Sequence, residues 1–267
     1  MELVEVVSPV NAYVFPEYIL PKLKLFTTHG NPSVRAMLAS CLASLADSAS
    51  RFLHLAQDLR GQGVLPTADP ETEVDTAPES TYQALFDIAR SDLVTIFQEY
   101  ATVFLTDLDS SVRRAILTSV TRLCVFFGRQ KANDVILSHL NTYLNDEDWM
   151  LRSAFFETII GVAAFLGGTS LEEYIMPLMV QALADPEELV VEKVLRSLAS
   201  MAGIGLFQRS KTWELIDIMA RFTMHPNLWI RQGGLQLSFN IFLSQLTRVL
   251  FSIYIIHCIS SEMVIPN

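Results

Sequence analysis

The sequence predicts an all-α fold of stacked helical pairs, and three observations carry the prediction. First, the stretch Asn145 to Gly168, NDEDWMLRSAFFETIIGVAAFLGG, reads as one amphipathic helix. Its Leu151, Ala154, Phe155, Thr158, Ile159 and Val162 follow the i, i+3, i+4, i+7 spacing that lines one helical face. Asp146 and Asp148 stand where a carboxylate caps free backbone N–H groups. Gly167-Gly168 stands where a glycine in the left-handed conformation ends a helix. Second, the design recurs at Asn31–Ala46, Asp109–Gly128, Asp185–Gly203 and His225–Leu235. Taking the residue after the first buried aliphatic as the marker gives Arg35, Arg113, Arg152, Glu192 and Arg231, the last four spaced 39, 40 and 39 residues apart. Third, EYILPKL (Glu17–Leu23) and EYIMPLM (Glu173–Met179) match, with their prolines 156 residues apart, four intervals of 39. Two helices per forty residues is the signature of a HEAT or armadillo-type α-solenoid. The chain has room for about five such pairs.

In the first pair, helix A is expected from Phe15 to Phe26, with Pro16 in its first turn and a kink at Pro21. Asn31-Pro32 is a cap followed by a first-turn proline, and helix B runs to about Leu59. Residues 60–80, RGQGVLPTADPETEVDTAPES, combine proline, glycine and acid without aromatics, so a flexible acidic loop is expected there. Ser80 to Gln83 has capping-box spacing, opening a second helix A from Tyr82 to about Leu105. Helix B follows from Ser110. The third pair joins Asn133–Tyr143 to the long amphipathic stretch. The fourth opens at Ser170, with a capping box to Glu173, and continues beyond Asp185-Pro186. The fifth joins Lys211–Phe222 to HPNLWIR. The expected organisation is therefore a first unit over 1–59, the loop over 60–80, further units over 81–235 and an apolar, atypical tail over 236–267.

Composition narrows the function. Of 267 residues, 51% are hydrophobic and 18% charged, which suits helices buried on two sides. A net charge of −10 excludes the basic footprint of a nucleic-acid binder. Three distant cysteines without a CxxC pair read as free thiols of a reducing compartment. The N-terminal MELVEVVSPV does not have the charge-then-apolar order of a secretory signal.

No catalytic pattern emerges. The carboxylate pairs Asp146/Asp148 and Glu187/Glu188 read as first-turn acids. His29, His54, His139, His225 and His257 are scattered, so neither a metal site nor a cofactor is expected. The glycine pairs at 61/63 and 203/205 complete no phosphate-binding motif. The recurring Arg35, Arg113, Arg152 and Arg231 are expected to meet the turn acids of a neighbouring repeat as a ladder, interrupted by Glu192, with a partner-binding stripe as the alternative. Trp149 and Trp229 sit near equivalent places and are expected in inter-repeat packing or partner contact.

The strings FPEYILPKL, VRAMLASCLASLADSASRFL, SVRRAILTSVTRLCVFFG, ANDVILSHLNTYLNDEDWMLRSAFFETIIGVAAFLGG, ADPEELVVEKVLRSLASMAGIGLFQ and HPNLWIR carry a resemblance. From about Val14 to Arg231 the chain resembles the central HEAT-repeat region of the regulatory subunit of class III phosphatidylinositol 3-kinase, a vacuolar protein sorting family with a protein-kinase-like N-terminal domain. It is most similar to fungal members. The resemblance implies a scaffold that holds the lipid kinase catalytic subunit and a Beclin-type subunit. The implied setting is cytoplasmic and peripheral on endosome, vacuole or autophagosomal membranes, serving autophagy and endosome-to-vacuole sorting. It implies no enzyme in this stretch, since the kinase-like and propeller regions of the family have no counterpart here, and it implies a fragment. Two other readings stand beside it. One is a serine/threonine kinase, or a kinase regulator, by inheritance from the whole family protein. The other is a membrane-tethered adaptor using the apolar tail, which otherwise reads as a helix packed on the last repeat or as the unnatural end of a truncated chain.

Overall fold

Capping chemistry at the turns sets the helix boundaries. The computed structural model of the protein describes residues 14–61 and 79–262, and every regular element among them is helical. Helix α1 spans residues 15–27, and its first turn, Phe15–Ile19, is a wide π turn. Helix α2 is Pro32–Gly61 and α3 is Glu79–Leu105. Then come α4, Ser110–Leu117, and α5, Val120–Phe127. Helix α6 covers residues 129–140, again with a π turn at Ala132–Leu137. A short 3₁₀ turn at Asn141–Asn145 leads to α7, Trp149–Leu166. Residues 168–182 form α8, Glu188–Gly203 α9, Arg209–Ala220 α10 and Leu228–Glu262 α11. The chain is thus an all-α series of helical pairs of HEAT/armadillo type.

Several boundaries differ from the sequence expectation. The expected loop narrows, because α2 continues to Gly61 and α3 begins at Glu79; residues 62–78 lie outside the described residues. Neither capping box opens a helix. Ser80 lies inside α3, and Ser170 lies inside α8, which begins at Gly168. Gly167, at φ 96°, ends α7 and starts α8 in one residue, so Gly168 opens the next helix instead of closing the last. Gly128, at φ 81°, does the same between α5 and α6. Both angles belong to the left-handed region that glycine enters without a Cβ penalty. The expected single helix from Asp109 to Gly128 breaks at Thr118 and Ser119. Their hydroxyls donate to the carbonyls of Ala115 and Ile116, competing with the helical ladder. Pro21 and Pro177 do not kink a helix interior. Each follows a π turn, Phe15–Ile19 or Leu171–Ile175, and stands in the first turn of the α-helical segment behind it. The wider turn moves away the carbonyl that a proline ring would strike.

The backbone forms two compact units, residues 1–140 and 141–267. In the first, α2 packs along α4 and α5, with α1 and α3 also against it. Helix α2 brings a stripe of small residues, Ala39, Ala43, Ala46, Ala49 and Ala56, all buried. Alanine at these steps lets a neighbouring helix approach closely. Val112, Ile116, Val120 and Leu123 of α4 and α5 are completely buried, as the periodicity anticipated. Tyr100 of α3 donates its phenolic hydroxyl to the Leu20 carbonyl of α1, and burial raises the Tyr100 pKa.

In the second unit α9 lies between α7 and α11. Val190, Val194, Leu195, Leu198, Ala199 and Met201 of α9 are fully buried. Two polar side chains cross these packed helices. Ser197 donates to the Phe156 carbonyl, and Asn240 donates to the Ala199 carbonyl at 2.8 Å. Helix α11 runs unbroken through the expected boundary at 235/236, and Leu237 and Ile241 of the supposed tail are buried core residues. Residues 263–267 lie outside the described residues. Among the described residues, Trp149–Leu166 is long and apolar enough to cross a membrane, but it is a core helix with Phe155, Phe156, Ile159 and Val162 buried.

Gly233 sets how closely α11 approaches α9. A Cβ built there would sit 3.0 Å from the Leu195 Cβ and 3.9 Å from the Glu192 carbonyl oxygen. Gly233→Val is expected to destabilise by about 1–3 kcal/mol, the usual range for overpacking. The measurement is equilibrium unfolding followed by circular dichroism; an unchanged midpoint would refute the close-approach argument.

Candidate functional site

One turn, rebuilt in successive repeats, gathers a recurring set of hydrogen bonds and ion pairs. It begins two residues before the helix cap, with a histidine or aspartate whose side chain accepts the N–H of the capping residue. His29 Nδ1 accepts from Asn31 at 3.1 Å and His225 Nδ1 from Asn227 at 3.2 Å. Asp107, Asp146 and Asp185 accept from Asp109, Asp148 and Glu187, each at 2.9 Å. The cap then accepts the N–H two residues further on. Asn31, Asp109, Asp148 and Asn227 do this for Ser33, Ser111, Met150 and Trp229. These bonds satisfy N–H groups that the first helical turn leaves without partners.

Six residues after the opening residue stands the arginine singled out in the sequence, and its Nη1 returns to the turn. Arg35 donates to the His29 carbonyl at 2.7 Å. Arg113 donates to the carbonyls of Asp107 and Leu108, Arg152 to those of Asp146 and Glu147, and Arg231 to those of His225 and Pro226. This lock was legible as the spacing [D/H]-x-[D/N]-x₃-R, but only once His29 and His225 are placed in register with the aspartates. The same register corrects the fourth repeat. Val190 donates its N–H to Glu187 as Leu151 does to Asp148, so Val191 occupies the arginine's place. Glu192 lies one residue beyond, buried, and pairs with Arg196.

Arg35 and Arg152 each also reach a second turn. Arg35 grips Asp107 with two parallel bonds of 2.7 and 2.9 Å, and Arg152 grips Asp185 with the same lengths. All three nitrogens of each guanidinium are thereby engaged within the chain. Arg35 holds the Asp107 carboxyl below the ordinary aspartate range, overcoming the upward push of burial. For Asp185, burial pushes upward most strongly, yet the bonds from Arg152 and the Glu187 N–H keep it low. The Ser111 hydroxyl and N–H lower Asp109.

The tryptophans diverge. Trp149 is the first residue of α7 and half-buried, whereas Trp229 is the second residue of α11 and 56% exposed. The acid pairs diverge too. Asp146 and Asp148 both accept turn N–H groups, but Glu187 makes no side-chain cap, and Glu188 accepts from the Asn227 amide. Among the described residues no three His, Cys, Asp or Glu side chains converge as metal ligands. Burial pushes the Cys124 thiol up to about 12, which keeps it out of the reactive thiolate form.

With this geometry in view, the comparisons with known proteins are specific. The family model PIK3R4-like, middle domain, matches residues 1–263. The chain belongs to the PIK3R4-like middle-domain family. Among relatives of this family, the chain is 43% identical over 238 residues to the serine/threonine-protein kinase vps15 of Schizosaccharomyces pombe, covering 89% of this chain and 14% of that one. It is 36% identical over 242 residues to the probable serine/threonine-protein kinase vps15 of Dictyostelium discoideum, covering 89% of this chain and 12% of the relative. The chain therefore spans about a seventh of the length of these relatives. Among solved structures, Cex1p superposes with a TM-score of 0.48 at 14% identity over 88% of this chain and 43% of that one.

The turn lock makes two predictions. Arg152→Ala leaves Asp185, whose side chain is 8% exposed, without its partner. The expected cost is about 2–4 kcal/mol, measured by denaturant unfolding, with Arg152→Lys recovering only part because lysine cannot make the paired bonds. Acid should act through Asp107 and Asp185. Their folded pKa values lie below the unfolded value of about 3.9, so their stabilisation is complete above that pH and is lost as pH falls through the folded values. Asp185→Asn should lower stability at pH 7 and flatten its pH dependence below about pH 4. An unaltered acid profile would count against the assignment.

Proposed function

We propose that this segment is a non-catalytic scaffold of the class III phosphatidylinositol 3-kinase complex. In this reading it presents helical faces to the lipid kinase catalytic subunit and the Beclin-type subunit, peripherally on endosome, vacuole or autophagosomal membranes, in autophagy and endosome-to-vacuole sorting. The observation that carries it is the match to the PIK3R4-like middle domain along residues 1–263. The turn arginines act as the ladder of the stack: Arg35 and Arg152 tie one repeat's helix start to another turn acid, and their donors are spent on the chain itself. The exposed aromatics Trp213 and Trp229 are then the better candidates for partner contact, since buried aromatic anchors dominate interface energies.

A second reading is favoured by the relatives' names: serine/threonine kinase or kinase regulator. The matched region is their middle domain, so any such activity belongs in this reading to other parts of the longer relatives. Co-expression of the chain with the class III lipid kinase subunit and its Beclin-type partner, followed by size-exclusion chromatography, separates the two. Co-elution is expected, together with ATP turnover no greater than that of the partners alone. A well-folded chain that elutes apart from both would overturn the scaffold reading. ATP hydrolysis by the isolated chain would favour the second.

A further inference from the structure

At the corner where α3 meets the junction of α5 and α6 lies an open cavity of about 410 Å³. Four charged residues border it: Asp87 and Arg90 from α3, and Arg129 and Lys131 from the start of α6, a local excess of two positive charges. This gathering runs against the chain's own electrostatics. The protein carries a net charge of −10. Cations at a helix start also face the positive end of the helix dipole, where acids are favoured. The guanidinium or ammonium groups of Arg35, Arg122, Arg152, Arg196, Lys193 and Lys211 all hold a carboxylate. Asp87 offsets only one of the three positive charges, so the lining keeps an excess that an anionic segment would meet. A second corner shows what such a place accepts. At the start of α10 the chain supplies its own acids: Glu172 accepts the Gln208 N–H, and Glu214 holds Lys211 at 2.8 Å.

We propose that the Arg90–Arg129–Lys131 corner is a docking notch for an acidic segment of a partner protein. The floor is apolar, formed by Val94, Phe126 and Phe127, so the fitting segment carries an aliphatic residue between its carboxylates. The volume suits a few side chains and falls in the range of ordinary ligand sites. A flat anionic bilayer is the poorer match, because the notch is concave and the remaining charge of the chain is repelled by such a surface. The inference does not depend on which complex the chain serves.

The test is fluorescence polarisation with a fluorescein-labelled peptide of sequence EELEE at 50 and 300 mM salt, in parallel with phosphatidylserine vesicles. The chain is expected to bind the peptide, at least threefold more weakly at the higher salt. The triple variant R90E/R129E/K131E should lose at least tenfold in affinity, while R221E, changing an exposed arginine of the other unit, should leave it unchanged. Circular dichroism should show equal helix content in all three proteins. Peptide binding unaffected by the triple change would overturn the proposal, as would an absence of peptide binding. Vesicle binding lost in the triple variant, without peptide binding, would overturn it in favour of a lipid site.

Discussion

A helical pair cannot cover its own apolar face, and the rest of this structure depends on that shortage. Helix α9 shows it most clearly, since it is buried by α7 on one side and α11 on the other. At about 25 cal/mol per Å² of apolar surface removed from water, such double burial is the main favourable term for a chain of this composition. It explains why charged residues are scarce and why the apolar positions of the long helices spill beyond one stripe. Phe156 and Ala163 of α7 are as fully buried as the predicted Phe155 and Val162.

Non-directional burial sets no register, and the polar turns supply it. Each turn fixes where its helix begins, through a side chain accepting the cap's N–H and a cap accepting the next one. The arginine six residues on closes the turn by donating to carbonyls that the helix itself cannot use. Where the guanidinium also holds a second acid, the start of one helix is tied to another turn. Ser197 and Asn240 do similar work further along, meeting main-chain carbonyls of the neighbouring helix. Groups of this kind add modest net stability each, but a register slip would leave several of them buried and unpaired, which is expensive.

The two glycines Gly128 and Gly167, 39 residues apart, punctuate successive repeats in the same way. Each lets one helix end and another begin without an intervening loop. The two π turns before Pro21 and Pro177 likewise recur in equivalent strings. These are backbone solutions repeated with the period. The aromatic content varies around them, with Phe15 meeting Phe52 in the first unit and Phe155 meeting Phe156 in the second.

What the amino-acid order determined by itself was whatever repeats locally: the helical class, the forty-residue interval, the caps at Asp109 and Asp148, and the buried faces of α4, α5 and α7. These follow from side-chain spacing within one or two turns of helix. The register of the fourth repeat was beyond it. Val190 and Val191 are both buried, so hydrophobicity alone could not say which one stands at the arginine's place, and only the backbone hydrogen bond to Glu187 decides it. The tail was hard to read for a related reason. Without caps or turns to mark a boundary, its residues looked unlike a repeat, yet Leu237 and Ile241 are buried because α9 offers α11 a surface. The partners of Arg35 and Arg152 lie 72 and 33 residues away. Only the tertiary structure selects such partners, because the packing of whole helices brings a given carboxylate within reach.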